Sequence, residues 1–124
     1  MVTASALLFT ALMTIAVGFQ IALALGAPWG ERANGGRWHG TLPKPMRVAA
    51  VVQGCVLSSL IAVVLSHAGL INWAVPAWAI WSVVGIKALS SIMNIATPSA
   101  KERRLWAPIA TLSCISAAIV GFLV

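Results

Sequence analysis

The chain is 124 residues long, 60% hydrophobic and 8% charged, with a mean hydropathy of +0.98 and a formal net charge of +6. So few charged groups cannot furnish a water-facing surface, which excludes an ordinary soluble domain and makes lipid the expected solvent for most side chains. The basic residues flank apolar runs and do not line one soluble face, which excludes nucleic acid and leaves anionic lipid headgroups as the expected partners.

Four apolar runs, 3–25, 46–66, 73–95 and 106–124, are each long enough to cross a hydrocarbon core of about 30 Å at about 1.5 Å per residue. No Lys or Arg precedes the first run, so it reads as a retained span and not as a cleaved signal peptide. The loop that follows, 26–45, contains Gly26, Gly30, Gly35, Gly36 and Gly40. Glu31, Arg37 and His39 among those glycines are suited to form a lid over a polar site, where amides next to glycine cradle anions. The plainer reading is a flexible connector whose Arg32, Arg37, Lys44 and Arg47 meet headgroups. A brief turn, 67–72, separates the second and third runs. A basic connector, 96–105, leads into the fourth and carries Lys101, Glu102, Arg103 and Arg104.

Spans in lipid must satisfy their backbone internally, and four segments cannot close a barrel, so each is expected to be a helix. The fold expected is all-α: a single membrane domain over 1–124, an antiparallel up-and-down bundle of four transmembrane helices. Pro28, Pro43, Pro45 and Pro98 fall in connectors, and Pro76 and Pro108 in or near the first turns of their spans, where a missing amide costs least. Seven Lys and Arg lie in or beside the loops 26–45 and 96–105, and none in the second loop or at either terminus. Both basic loops are therefore expected in the cytoplasm and both termini outside. Trp29 and Trp106 should then mark the cytoplasmic interface and Trp73 the outer one, with Trp78 and Trp81 deeper on one face of the third span, packing or facing lipid. Small residues repeat every four positions: Gly18, Ala22 and Gly26; Gly54, Ser58, Ala62 and Ser66; Ser113, Ala117 and Gly121, with Ala110, Cys114 and Ala118. Such rows let helices approach where water provides no drive for association.

Lys87 is the one ionisable side chain inside a span, where a charge costs about 2.5 to 3.5 kcal/mol on insertion scales. Either its four-carbon stem carries the ammonium to the cytoplasmic interface, or it faces the bundle and holds an anion or a polar partner. At the same depth lie Gln20, Gln53, Ser90, Ser91, Asn94, Ser113 and Cys114. On the third span Lys87, Ser90, Ser91 and Asn94 share one helical face. Two functions suit this layer: a ligand-binding pocket around Lys87, Gln20, Gln53, Ser90, Ser91 and Asn94, or a hydrogen-bond network that only orients helices.

Catalytic and metal signatures are absent. Glu31 and Glu102 are the only acids, neither in a span, and no Ser, His and acid set can be assembled there. Cys55 and Cys114 form no thiol pair of close spacing, and His39 and His67 fall on opposite sides, so no cofactor or metal is expected. Small multidrug exporters rely on a first-span carboxylate, where this chain has Gln20.

Gly26, Ala27, Pro28, Trp29 and Gly30, then Gly35, Gly36 and Gly40, Leu42 with Pro43, and Met46 with Arg47 form a first-loop signature. With Asn94, Glu102, Arg103, Trp106 and Pro108 it resembles that of an uncharacterised family of small four-helix bacterial membrane proteins. The resemblance implies the fold and a bacterial inner-membrane location, and no activity. The expectation is a non-enzymatic protein that binds or helps to transport a small polar or anionic ligand. The alternative is a structural or accessory subunit, anchored to anionic lipid by Lys101, Arg103, Arg104 and the first-loop cations, and packed against a partner protein or a second copy.

Overall fold

The computed structural model describes residues 1–124 and is all-helical: α1 (Val2–Ala24), α2 (Lys44–His67), α3 (Ala79–Ala96) and α4 (Ala100–Leu123), with two single 3-10 turns, Gly30–Arg32 and Asn34–Gly36, in the first loop. All four helices are long and apolar enough to cross a membrane. Only 25 of the 124 residues are buried, and the exposed surface carries Leu7, Ile15, Val48, Val52, Leu89, Ile92 and Met93, a composition suited to acyl chains and not to water.

The helix ends follow local chemistry. Proline sits at the start of α2, where the backbone lacks an internal partner in any case. At α4, Ser99 is the N-cap and its Oγ accepts from the amide of Glu102 at 3.2 Å. That cap starts α4 at Ala100, six residues ahead of the apolar run, and folds Lys101, Glu102, Arg103 and Arg104 into its first turns. Pro108 consequently lies inside the helix and not near its first turn, and removes the amide that would otherwise bond the Arg104 carbonyl. α3 is shorter than its apolar run and begins only at Ala79, because Pro76 lacks a donor and biases Val75 toward extended backbone. Trp73 and Trp78 therefore precede the helix and are strongly exposed.

α1 packs along α2 and α4, and α3 packs along α4, whereas α2 and α3 pack only sparsely. The main core fills one half of the bundle: Ala6, Phe9 and Met13 of α1, Leu57, Leu60 and Val64 of α2, Ile80 and Val83 of α3, Ala117 and Val120 of α4. The small-residue row of α4 lies in this packing, with Ala110, Ser113 and Ala117 buried and Gly121 against the Trp81 ring, which also meets Phe122 edge-on at 4.9 Å. The row expected on α1 does not: Gly18 is exposed with open space around it, and α1 instead buries larger side chains, Phe9 and Met13. On α2, Gly54 is buried and Ser58 exposed. α3 and α4 meet Trp81 to Gly121, Val84 to Cys114 and Ser91 to Thr111. A second cluster, Leu23, Leu42 and Ala50, seats the first loop on the helix ends, and the half of the bundle beneath that loop is not filled.

Candidate functional site

A cavity of about 670 Å³ occupies the unfilled half, a size common for small-molecule sites. Gln20 of α1, Gln53 of α2 and Lys87, Ser90 and Asn94 of α3 line it, together with Met13, Leu57, Trp106 and Ala110. Lys87 is only 5% exposed, so it faces the bundle interior and does not reach for the interface. Its ammonium has no hydrogen-bond acceptor and no counter-ion in the protein: the ion pairs are His39 and Lys101 with Glu31, and the other acid, Glu102, is bonded elsewhere. None of Gln20, Gln53, Ser90 and Asn94 makes a side-chain hydrogen bond to the protein either. Of the five, Lys87 alone is buried, Gln20, Ser90 and Asn94 are half-buried and Gln53 is exposed at the cavity mouth; the lysine is the unusual member, because buried polar groups normally find partners.

The polar residues outside the cavity behave differently. Ser91 is buried and turns to α4, its hydroxyl 2.7 Å from that of Thr111. Ser113 bonds back to the Ile109 carbonyl at 2.6 Å, and the Cys114 thiol lies 3.7 Å from the Val84 carbonyl. Ser91 and Cys114 thus link α3 to α4, Ser113 bonds within its own helix, and the five cavity residues contribute no side-chain hydrogen bond between helices.

The first loop closes over one end of the cavity through Arg32, Ala33, Asn34 and Gly35. Four contacts tie it to the start of α4. The buried Glu102 carboxylate accepts from the Gly35 amide at 2.7 Å and from Thr97 Oγ1 at 3.2 Å. Ser99 Oγ donates to the Glu31 carbonyl at 2.7 Å, Trp106 Nε1 donates to the Arg32 carbonyl at 2.8 Å, and Lys101 pairs with the Glu31 carboxylate. Phe19 stacks on Trp29 and meets Trp106 edge-on, at 5.9 and 4.7 Å between ring centroids. Of these, the sequence pointed to Glu31 alone as a lid residue. The signal for Glu102 was present in Ser99-x-x-Glu102, a capping-box pattern, but the carboxylate turns to the loop and not back to the Ser99 amide.

The basic residues fall into two groups. Arg47 Nε donates to the Ala24 carbonyl and Arg103 Nη1 to the Thr97 carbonyl, both at 2.9 Å. Each guanidinium therefore satisfies the C-terminal end of the preceding helix, where the dipole favours a cation. Lys44 and Arg104 are exposed without protein partners, Arg37 lies 5.2 Å from the Trp38 ring centre, and His39 is exposed and bonds Glu31 at 2.9 Å.

Lys101, and secondarily His39, hold the Glu31 carboxyl down at about 2 from an ordinary 4.5 by hydrogen bonding to its charged form. A lowered folded-state value means that the tie acts fully above about pH 4.5 and is lost as pH falls from there through about 2. Protection of the loop amides from hydrogen exchange, taken relative to the intrinsic rate at each pH, is expected to fall as pH drops across that window, and Glu31→Gln should remove the dependence. An unchanged profile in Glu31→Gln would exclude this pair as the latch.

No group of His, Cys, Asp or Glu is arranged to hold a metal ion. Compared with protein-family models, curated proteins and solved structures, the chain matches none of them.

Proposed function

We propose that the chain is a bacterial inner-membrane protein whose cavity binds, or helps to move, a small polar or anionic ligand. The observation that carries this reading is a buried, unpartnered cation with four polar side chains beside it in one cavity, none of which bonds to the protein. A hydrogen-bond network that served only to orient helices would consume these groups. A ligand with an anionic or strongly accepting atom at Lys87 and acceptors or donors for Gln20, Gln53, Ser90 and Asn94 would satisfy them. The arrangement supports an antiparallel up-and-down bundle with both basic loops in the cytoplasm and both termini outside, the exposed Lys44 and Arg104 meeting anionic headgroups. The first-loop signature supports grouping the chain with small four-helix bacterial membrane proteins.

Thermal melting of the detergent-purified protein with inorganic phosphate or acetate, at matched ionic strength, tests the pocket. A ligand at about 100 times its Kd stabilises the folded state by about 2.7 kcal/mol. A saturable rise in the wild type that is absent in Lys87→Met is expected, and equal behaviour of the two proteins would overturn the pocket. For topology, Arg37→Cys in a Cys55→Ser background is expected to react with an impermeant thiol reagent only after the cytoplasmic face is opened. Asn72→Cys should react in intact cells, and the reverse pattern would invert the orientation.

A further inference from the structure

The cavity has a side door. Its exposed lining residues include Ala49 and Gln53 of α2 and Met93 and Ala96 of α3, the neighbouring helix pair that packs most sparsely. All four lie in apolar helices and, on the membrane reading above, this opening looks onto acyl chains and not onto water. At the end toward the basic loops the exposed Asn34 and Pro98 also belong to the lining, but the loop lies across it. There the segment from Arg32 to Gly35 is tied down by Glu102 and Trp106, at 2.7 and 2.8 Å.

Charge and polarity are graded along the cavity in the way that an amphiphile requires. Its deep wall presents the unpartnered Lys87 ammonium, its rim between α2 and α3 is methionine and alanine with the one amide of Gln53, and although Glu102 lines the same cavity, no carboxylate lies within ion-pairing distance of Lys87. An anion alone would satisfy the lysine but leave the rim without a counterpart; a hydrocarbon alone would leave the lysine unpaired. We infer that the ligand of this pocket is an anionic amphiphile that enters laterally between α2 and α3, its head accepted by Lys87 and its chain leaving past Ala49 and Met93 into the bilayer. This rests on the pocket proposed above and names its ligand class. Two sources supply that chemistry, a free fatty acid and an anionic phospholipid.

The test uses the full chain in zwitterionic phosphatidylcholine nanodiscs containing a trace of either a diazirine-bearing fatty acid or a diazirine-bearing phosphatidylglycerol. After irradiation, labelled peptides are mapped. Labelling concentrated on the segments around Ala49 and Met93, and reduced about tenfold or more in Lys87→Met, is expected from the loss of one hydrogen-bonded charge. The probe that labels in this way identifies the source. The wild type alone provides the same contrast should the variant fail to fold: oleate should displace the fatty-acid probe and its neutral methyl ester should not, as phosphatidylglycerol should displace the phospholipid probe. Labelling spread over the lipid-facing sides of all four helices, indifferent to these competitors, overturns the inference. If phosphate or acetate still stabilises the wild type but not Lys87→Met in that case, the pocket stands with a water-soluble anion as its ligand; if neither protects, both readings fall.

Discussion

Lys87→Met is expected to make the ligand-free protein more stable while abolishing ligand binding. The two effects have one cause. A side chain that is 5% exposed and has no acceptor in the protein carries an uncompensated burial cost, which a thioether of similar length does not. Insertion scales put the cost of a mid-span cation at about 2.5 to 3.5 kcal/mol, and access to the cavity lowers it, so a gain of about 1 to 3 kcal/mol is expected. The opposite sign follows if Lys87 holds helices together, because removing a member of a satisfied network costs about 0.6 to 2 kcal/mol. Thermal unfolding of wild type and variant in detergent, with and without anion, separates the two. A destabilised Lys87→Met protein that still binds would retire the pocket and favour a structural role. Ser91→Ala is the internal comparison, since its hydroxyl is committed to Thr111 at 2.7 Å and its loss should destabilise without affecting binding.

Gly30→Ala is expected to detach the first loop while leaving the four helices folded. A Cβ at this buried position would lie 2.7 Å from the Gly40 carbonyl oxygen and 2.8 Å from that of Trp38, and backbone cannot rotate away as a flexible side chain can. The same residue donates its amide to the Gly40 carbonyl at 2.9 Å, which closes the base of the loop. Overpacking of this kind costs about 1 to 3 kcal/mol, enough to shift a locally stable loop toward its open form. The main core of Phe9, Met13, Val64, Ile80 and Val120 lies in the other half of the bundle and should be unaffected. Trypsin reads the outcome at Arg32 and Arg37: cleavage accelerated by about tenfold or more, with helicity unchanged, corresponds to a loss of about 1.4 kcal/mol in loop closure. Gly36→Ala should act in the same direction, because its Cβ would approach Ser99 Cβ to 2.7 Å at a φ of +72°. Gly18→Ala, with nothing within 4 Å, should be silent or mildly stabilising. Unaltered cleavage in Gly30→Ala would mean that the loop does not depend on this closure.

The four helices were legible because chain composition states them directly: a run of about twenty apolar residues has few alternatives to a helix. Their ends were less so. α3 starts late and α4 early for local reasons, Pro76 in one case and the Ser99 cap in the other, which hydropathy alone does not weigh. Counting depth from the loops brought Gln20, Gln53, Lys87, Ser90 and Asn94 to one level, and these five line the cavity. The same count included Ser91, Ser113 and Cys114, whose hydrogen bonds go to Thr111, Ile109 and Val84. Depth is a property of one helix, whereas the direction of a side chain depends on which neighbour that helix packs against. The basic residues show the same limit: Arg47 and Arg103 count with Lys44 and Arg104 toward charge bias, but are bonded to the carbonyl ends of other segments.

The sequence by itself therefore determined what local chemistry dictates: four membrane-length helices, two basic connectors and one cation inside an apolar run. Tertiary structure decided the rest. That α2 and α3 pack more sparsely than the other neighbours, that Lys87 turns inward with no partner, and that the glycine-rich loop is fastened over the cavity by Glu102 and Trp106 are consequences of contacts between residues far apart in the chain. Hydropathy sums over neighbours in sequence and is blind to such contacts, because the energy of a cavity or a buried charge is set by which groups meet in space.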